Sequence, residues 1–167
     1  NRAARKYSWR IQALRIAWSL GRLFFRLVPR PLYAPRRAIL RCFGAKIGRH
    51  ANIANTATIY FPWNLEVGDW AAIGEHANIY NLGKTTIGAN ATVSQRAHLC
   101  AGTHDYEDPA MTLLTPPIMI GDQVWVCAEA FVGPGVSVGE GAVVGARAVV
   151  CKEVDAWCVM VGNPARV

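Results

Sequence analysis

The 167-residue sequence predicts an all-β repeat fold, a parallel β-helix of hexapeptide repeats preceded by an amphipathic helical arm. Three observations lead there. An aliphatic residue recurs every six positions: Ile47, Ile53, Ile59; Val67, Ile73, Ile79; Ile87, Val93, Leu99; then Ile120, Val126, Val132, Val138, Val144 and Val150. The steps from Ile59 to Val67 and from Ile79 to Ile87 are eight residues long, and each follows a third hexad, so the extra pairs fall at one corner of a three-sided coil. Before Ile47 the chain holds twelve of its 18 Lys and Arg and no acidic residue, which sets residues 1–46 apart as a basic arm from a mildly acidic repeat domain over 47–167.

Each hexad has a direct physical reading. Its aliphatic residue points into the coil axis and stacks on its equivalent one coil away, at roughly the 4.8 Å inter-strand spacing, while Gly, Ala, Asn and Ser turn the corners. Five coils would make a prism on the order of 24 Å tall. The long step from Leu99 to Ile120 falls at the corner of the two shorter insertions, so residues 100–119 form a loop thrown outward from the prism. Loops on rigid scaffolds carry chemistry more often than the scaffold does.

Within the arm, residues 8–28 read as a helix with one narrow polar stripe, Ser8, Gln12, Arg15, Ser19, Arg22 and Arg26. The rest of its circumference is largely apolar and must be buried against something. Three arginines inside its hydrophobic stretch, at about 2.5–3.5 kcal/mol each in mid-bilayer, argue against a membrane span. Two readings remain: the helix lies on an anionic membrane surface, or it packs on its own prism or a neighbouring subunit. Val28-Pro29-Arg30-Pro31 ends it, and residues 32–43 read as a second short helix. Phe24, Phe25 and the wide apolar face suit lipid rather than nucleic acid. Five cysteines without CxxC or disulfide-framework spacing read as buried or incidental thiols in a reducing cytoplasm, with the arm placing the protein at the inner face of the membrane.

The runs Tyr60-Phe61-Pro62-Trp63-Asn64, Ile79-Tyr80-Asn81-Leu82-Gly83, Gly102-Thr103-His104-Asp105-Tyr106, Val124-Trp125-Val126 and Gly162-Asn163-Pro164-Ala165 resemble the colanic acid biosynthesis acetyltransferases, within the hexapeptide-repeat O-acetyltransferases that include galactoside and maltose acetyltransferases. The likeness covers nearly the whole chain. It implies a left-handed β-helix, a homotrimer with its cofactor groove between prisms, acetyl-CoA as co-substrate with no metal, and a glycan or lipid-linked saccharide as acceptor.

Acetyl transfer to a hydroxyl needs a base, oxyanion donors and a slot that aligns the two substrates. His104, in the protruding loop, is the expected base. His50 and His76 read as corner residues. His98 makes a His-x5-His pair with His104 similar to that of γ-class carbonic anhydrases, a zinc alternative that lacks a clear third ligand. The resemblance places Trp125 by the thioester, the Ala128 N–H at the oxyanion, and Asn81 at the acceptor. It also places Lys152, Gly162, Pro164 and Arg166 along the coenzyme. Asp105 and Glu107 would orient His104 or hold the sugar. A soluble acetyltransferase acting on a free sugar or an antibiotic is the other enzymatic alternative.

Overall fold

The computed structural model describes residues 7–167; Arg2, Arg5 and Lys6 of the expected arm lie outside them. The hexads wind into a prism with three parallel faces. Lys46–Ile47, Leu65–Val67, Thr85–Ile87, Ile118–Ile120 and Ser137–Val138 form the first. The second runs from Asn52–Ile53 through Trp125–Val126 to Val159–Met160, and the third from Thr58–Ile59 to Val149–Val150. Equivalent aliphatics stand in register one coil apart, as in Ile53, Ile73, Val93, Val126 and Val144 on the second face.

The residue two before each aliphatic also points inward. On the second and third faces this is nearly always a fully buried Ala, among them Ala71, Ala77, Ala91, Ala97, Ala130, Ala142 and Ala148. Each fully buried aliphatic contributes roughly 1.5–3 kcal/mol by leaving water. The corners demand left-handed backbone, and His50, Trp70, Asn90 and Gln123 supply it between the first and second faces with φ of 57–62°. His76, with φ 57°, does so between the second and third. The two histidines thus sit at corners, with His50 stacked on Trp70 at 4.2 Å.

The coil continues beyond the fifth turn. Val154 bridges to Val138 on the first face, and Val159–Met160 joins the second. The step from Val150 to Val154 is only four residues, so this partial sixth coil falls out of the six-residue period.

Two helices precede the prism: α1 (Trp9–Leu27), capped by the Ser8 hydroxyl, and α2 (Tyr33–Cys42). Helix α1 packs on the prism along one narrow face, Trp18, Gly21 and Phe25, and the Trp18 indole N–H donates to the Ile59 carbonyl at 2.8 Å. A Cβ at Gly21 would collide with the Phe43 ring. On the opposite side Trp9, Ile16, Leu20, Leu23, Phe24 and Leu27 remain exposed. Helix α2 is pinned by Arg36, whose fully buried guanidinium donates to the carbonyls of Ile53, Pro29 and Arg30 at 2.8 Å each and of Val28 at 3.2 Å. Burial lowers its pKa, and backbone carbonyls alone accept from it.

Candidate active site

All large insertions meet at the corner between the third and first faces. The first holds the 3-10 turn Pro62–Asn64. The largest folds into a hairpin, with Thr103–His104 antiparallel to Leu113–Leu114 and His104 opposite Leu113. His104 is half-buried, and its Nδ1 lies 2.7 Å from the carbonyl oxygen of Met111. A carbonyl can only accept, so Nδ1 carries a proton, and in the neutral ring the lone pair belongs to Nε2. Met111 adopts φ 51°, the left-handed turn that aims this carbonyl back across the hairpin.

Asp108 staples the tip. Its carboxylate accepts from the Ala110 N–H at 2.8 Å and from the Thr112 hydroxyl, and the Thr112 and Ala110 bonds hold its pKa below the ordinary carboxylate value. Asp105 accepts from the Glu107 N–H at 3.1 Å, while its own N–H donates to the Thr112 carbonyl at 2.9 Å. Neither Asp105 nor Glu107 hydrogen-bonds the imidazole: the Met111 carbonyl holds it. Asp108 and Met111 gave no sequence signal beyond their place in the loop.

A cavity of about 580 Å³ opens beside the hairpin, walled by Ile11 and Leu14 of α1, Phe61, Trp63, Met111 and Leu113. The Phe61 and Trp63 rings stack at 4.8 Å. Asn81, expected at the acceptor, is instead fully buried beneath this corner. Its Oδ1 accepts from the Tyr60 and Phe61 N–H groups at 3.1 and 3.0 Å, and its Nδ2 donates to the Phe61 carbonyl at 2.6 Å. The side chain is consumed in shaping the insertion corner, which leaves it no exposed polar atom to offer a sugar.

Trp125 stands half-exposed on the second face, its indole N–H donating to the Ser94 hydroxyl at 2.9 Å. Ala128 follows at the corner between the second and third faces, with an N–H that makes no hydrogen bond among the described residues. One coil on, the Arg147 N–H donates to the Ala128 carbonyl at 3.0 Å, and Gly162, Pro164 and Arg166 continue the same corner in the sixth coil. Lys152 lies elsewhere, after Val149–Val150 at the corner between the third and first faces. Sequence reading missed Arg96 and Arg147, which bracket Glu129 beside Ala128 at 3.7 and 2.7 Å. They occupy left-handed corner positions, where any polar residue serves and no motif marks them.

His98 lies on the third face between Tyr80 and Phe131, 6.4 and 5.3 Å from their ring centroids, and burial lowers its pKa. No group of three His, Cys, Asp or Glu that could hold a metal occurs among the described residues. Cys42 and Cys151 are exposed, so of the two expected readings only the incidental one applies to them, while Cys100, Cys127 and Cys158 are half-buried.

Comparison with known proteins identifies this arrangement. The chain is 43% identical over 157 residues to the protein named as a colanic acid biosynthesis acetyltransferase, WcaF, of Escherichia coli K12, covering 94% of this chain and 81% of that one. The chain belongs to this acetyltransferase family. It is an O-acetyltransferase of the hexapeptide-repeat class, and its fold is the left-handed β-helix of that class. No family model matches the chain. Among solved structures, a maltose O-acetyltransferase from Clostridium difficile 630 superposes with a TM-score of 0.87 at 24% identity, covering 96% of this chain and 87% of that one. The acetyltransferase VCA0836 of Vibrio cholerae, complexed with acetyl-CoA, also gives 0.87 at 23% identity, with 97% and 89% covered.

Proposed function

We propose that the protein uses acetyl-CoA to acetylate a hydroxyl of a glycan or lipid-linked saccharide during exopolysaccharide assembly, with His104 as general base. The carrying observation is the His104–Met111 contact, which leaves Nε2 ready to accept a proton. The acceptor hydroxyl loses its proton to Nε2 as its oxygen attacks the thioester carbon. The Ala128 N–H receives the developing oxyanion. Collapse of the tetrahedral intermediate breaks the C–S bond, and the imidazolium returns its proton to the departing thiolate of CoA. No covalent enzyme intermediate is needed.

The site is completed by a second copy in a homotrimer. Trp125, Ala128, Gly162, Pro164 and Arg166 follow the corner between the second and third faces, whereas Lys152 and the hairpin belong to the corner between the third and first. Corners of one rigid prism do not converge. Two prisms set side by side bring one corner of each kind together around a single coenzyme.

The arm holds this assembly at an anionic membrane. Helix α1 turns six large apolar side chains away from the prism, and Arg10 and Arg26 beside them form no ion pair among the described residues. That pattern suits a helix lying in the headgroup region. No helix among the described residues is long and apolar enough to cross a membrane.

The deciding experiment incubates the full chain with labelled acetyl-CoA and saccharides extracted from membranes of a producing cell. Label is expected in lipid-linked or polymeric saccharide and absent with His104→Ala. Binding of acetyl-CoA with no transfer to any saccharide would overturn the acceptor reading.

A further inference from the structure

Part of the polar stripe of α1 turns toward the prism. Arg15, Ser19 and Arg22 face Tyr60 and Tyr80 across a groove of about 290 Å³ that no carboxylate lines. Arg22 makes no ion pair or hydrogen bond among the described residues. Arg15 donates to the Gln12 side-chain oxygen at 2.9 Å, its guanidinium 5.0 Å from the centroid of Tyr7, which also lines the groove. Tyr60 and Tyr80 meet edge to face at 4.7 Å, and neither hydroxyl has a partner among the described residues. Burial, with Tyr7, Cys100 and Tyr60 nearby, raises the Tyr80 pKa, so this phenol stays protonated as a donor. The Ser19 hydroxyl already donates to the Ile16 carbonyl at 2.6 Å. The groove therefore offers cations and donors with no fixed negative charge to answer them, the complement of an oxyanion.

The groove also adjoins the catalytic hairpin. A Cβ at Gly102, two residues before His104, would meet Leu82 at 3.0 Å and Tyr80 at 3.1 Å, so the groove wall packs directly against the strand that carries the base. Tyr7, Phe61 and Leu82 are common to this groove and to the larger cavity beside Met111 and Leu113. A molecule spanning both would run from the two arginines to the hairpin. A membrane headgroup is the wrong source for the anion: at about 100° per residue, Arg22 lies roughly 160° around α1 from Leu20, on the side away from the exposed apolar face.

We propose that Arg15, Arg22, Tyr60 and Tyr80 form a subsite for an oxyanion carried by the acceptor, a phosphoryl or carboxylate group, and that the enzyme's acceptors are anionic saccharides. The assignment deepens the acetyltransferase reading and rests on it. It explains why arginines stand on the helix edge that faces the prism, where apolar packing alone would have no use for them. Arginine also matches either anion bidentately, which orients the sugar as well as holding it.

Calorimetric titration of the full chain tests this with three probes: inorganic pyrophosphate, a methyl glucuronoside, and vesicles containing phosphatidylglycerol. Acetyl-CoA is titrated in parallel. Pyrophosphate or the glucuronoside is expected to bind, and the one that binds tells a phosphoryl from a carboxylate acceptor. Arg22→Gln and Arg15→Gln should each weaken that binding tenfold or more and Tyr60→Phe severalfold, with acetyl-CoA affinity and melting temperature unchanged. With an anionic acceptor in turnover, the arginine variants should raise KM and leave kcat nearly intact. The proposal fails if neither soluble anion binds, if the bound anion competes with acetyl-CoA, if the arginine variants bind as wild type, or if Arg22→Gln affects vesicle binding alone. Failure of acetyl-CoA itself to bind would instead strike the underlying enzymatic reading.

Discussion

His104 Nδ1 and the Met111 carbonyl oxygen stand 2.7 Å apart across the hairpin, and the contact sets both the tautomer of the neutral ring and the orientation of the imidazole. Its acceptor is a backbone atom, held by a left-handed residue in a loop stapled by Asp108. The imidazole is thus positioned by the conformation of the hairpin, with no carboxylate bonded to it. Replacing His104 by Ala should lower turnover by about two to four orders of magnitude, the usual worth of a general base. The melting temperature should not move, because the ring is peripheral to the core. Near wild-type transfer by the variant would remove His104 from the mechanism.

Loss of the Asp108 staple should act through that geometry. With Asp108→Ala the tip loses two hydrogen bonds, and turnover is expected to fall about tenfold while acetyl-CoA affinity holds. The pH dependence has a definite sign. The folded pKa is depressed, so the tie is fully present above the ordinary carboxylate value of about 3.9 and is lost as pH falls through the lowered value. Protection of the Ala110 amide, its exchange rate relative to the intrinsic rate at the same pH, checks this and should be high above that window and lost below it; equal protection in wild type and Asp108→Ala at neutral pH would refute the staple.

Arg36→Met should cost about 3 kcal/mol or more, since it removes the donor to the Ile53, Val28 and Arg30 carbonyls and leaves the Pro29 carbonyl with the Leu32 N–H alone. Arg36→Lys should recover only part of this, because an ammonium cannot reproduce the planar fork. Urea unfolding of the two variants measures the difference. A shift under about 0.5 kcal/mol for Met would show that the pin is dispensable.

Membrane attachment should depend on the outer face of α1. Leu20→Ser with Phe24→Ser and Leu27→Ser is expected to abolish flotation with anionic vesicles at low salt, and Arg26→Glu to weaken it in a salt-sensitive way, each basic residue contributing on the order of 1 kcal/mol. Flotation unchanged by the triple substitution would reassign this face to contact with protein.

Acetyl-CoA at 100 times its dissociation constant should raise stability by about 2.7 kcal/mol, and a chelator should leave activity unchanged. Differential scanning calorimetry and a chelation series read the two effects. Activity lost on chelation and restored by zinc would return His98 to consideration.

By itself the sequence determined whatever repeats locally. Inward aliphatics at a fixed spacing impose the coil, because each strand buries the same atoms as the strand above it, and broken spacing marked the insertion corner and therefore the loop of His104. Only the tertiary structure decided the rest. Asn81 reads as a polar residue beside the base until its register beneath the corner turns both its polar atoms onto backbone. A helix with one polar stripe does not say which edge meets the prism; Trp18, Phe25 and their contact with Ile59 and Phe43 do, and they carry Arg15 and Arg22 over the groove. The sixth coil was hidden by a four-residue step, and the partners of His104 and Arg36 were hidden because they are carbonyl oxygens. Every residue has one, so only the path of the chain selects which of them a side chain meets.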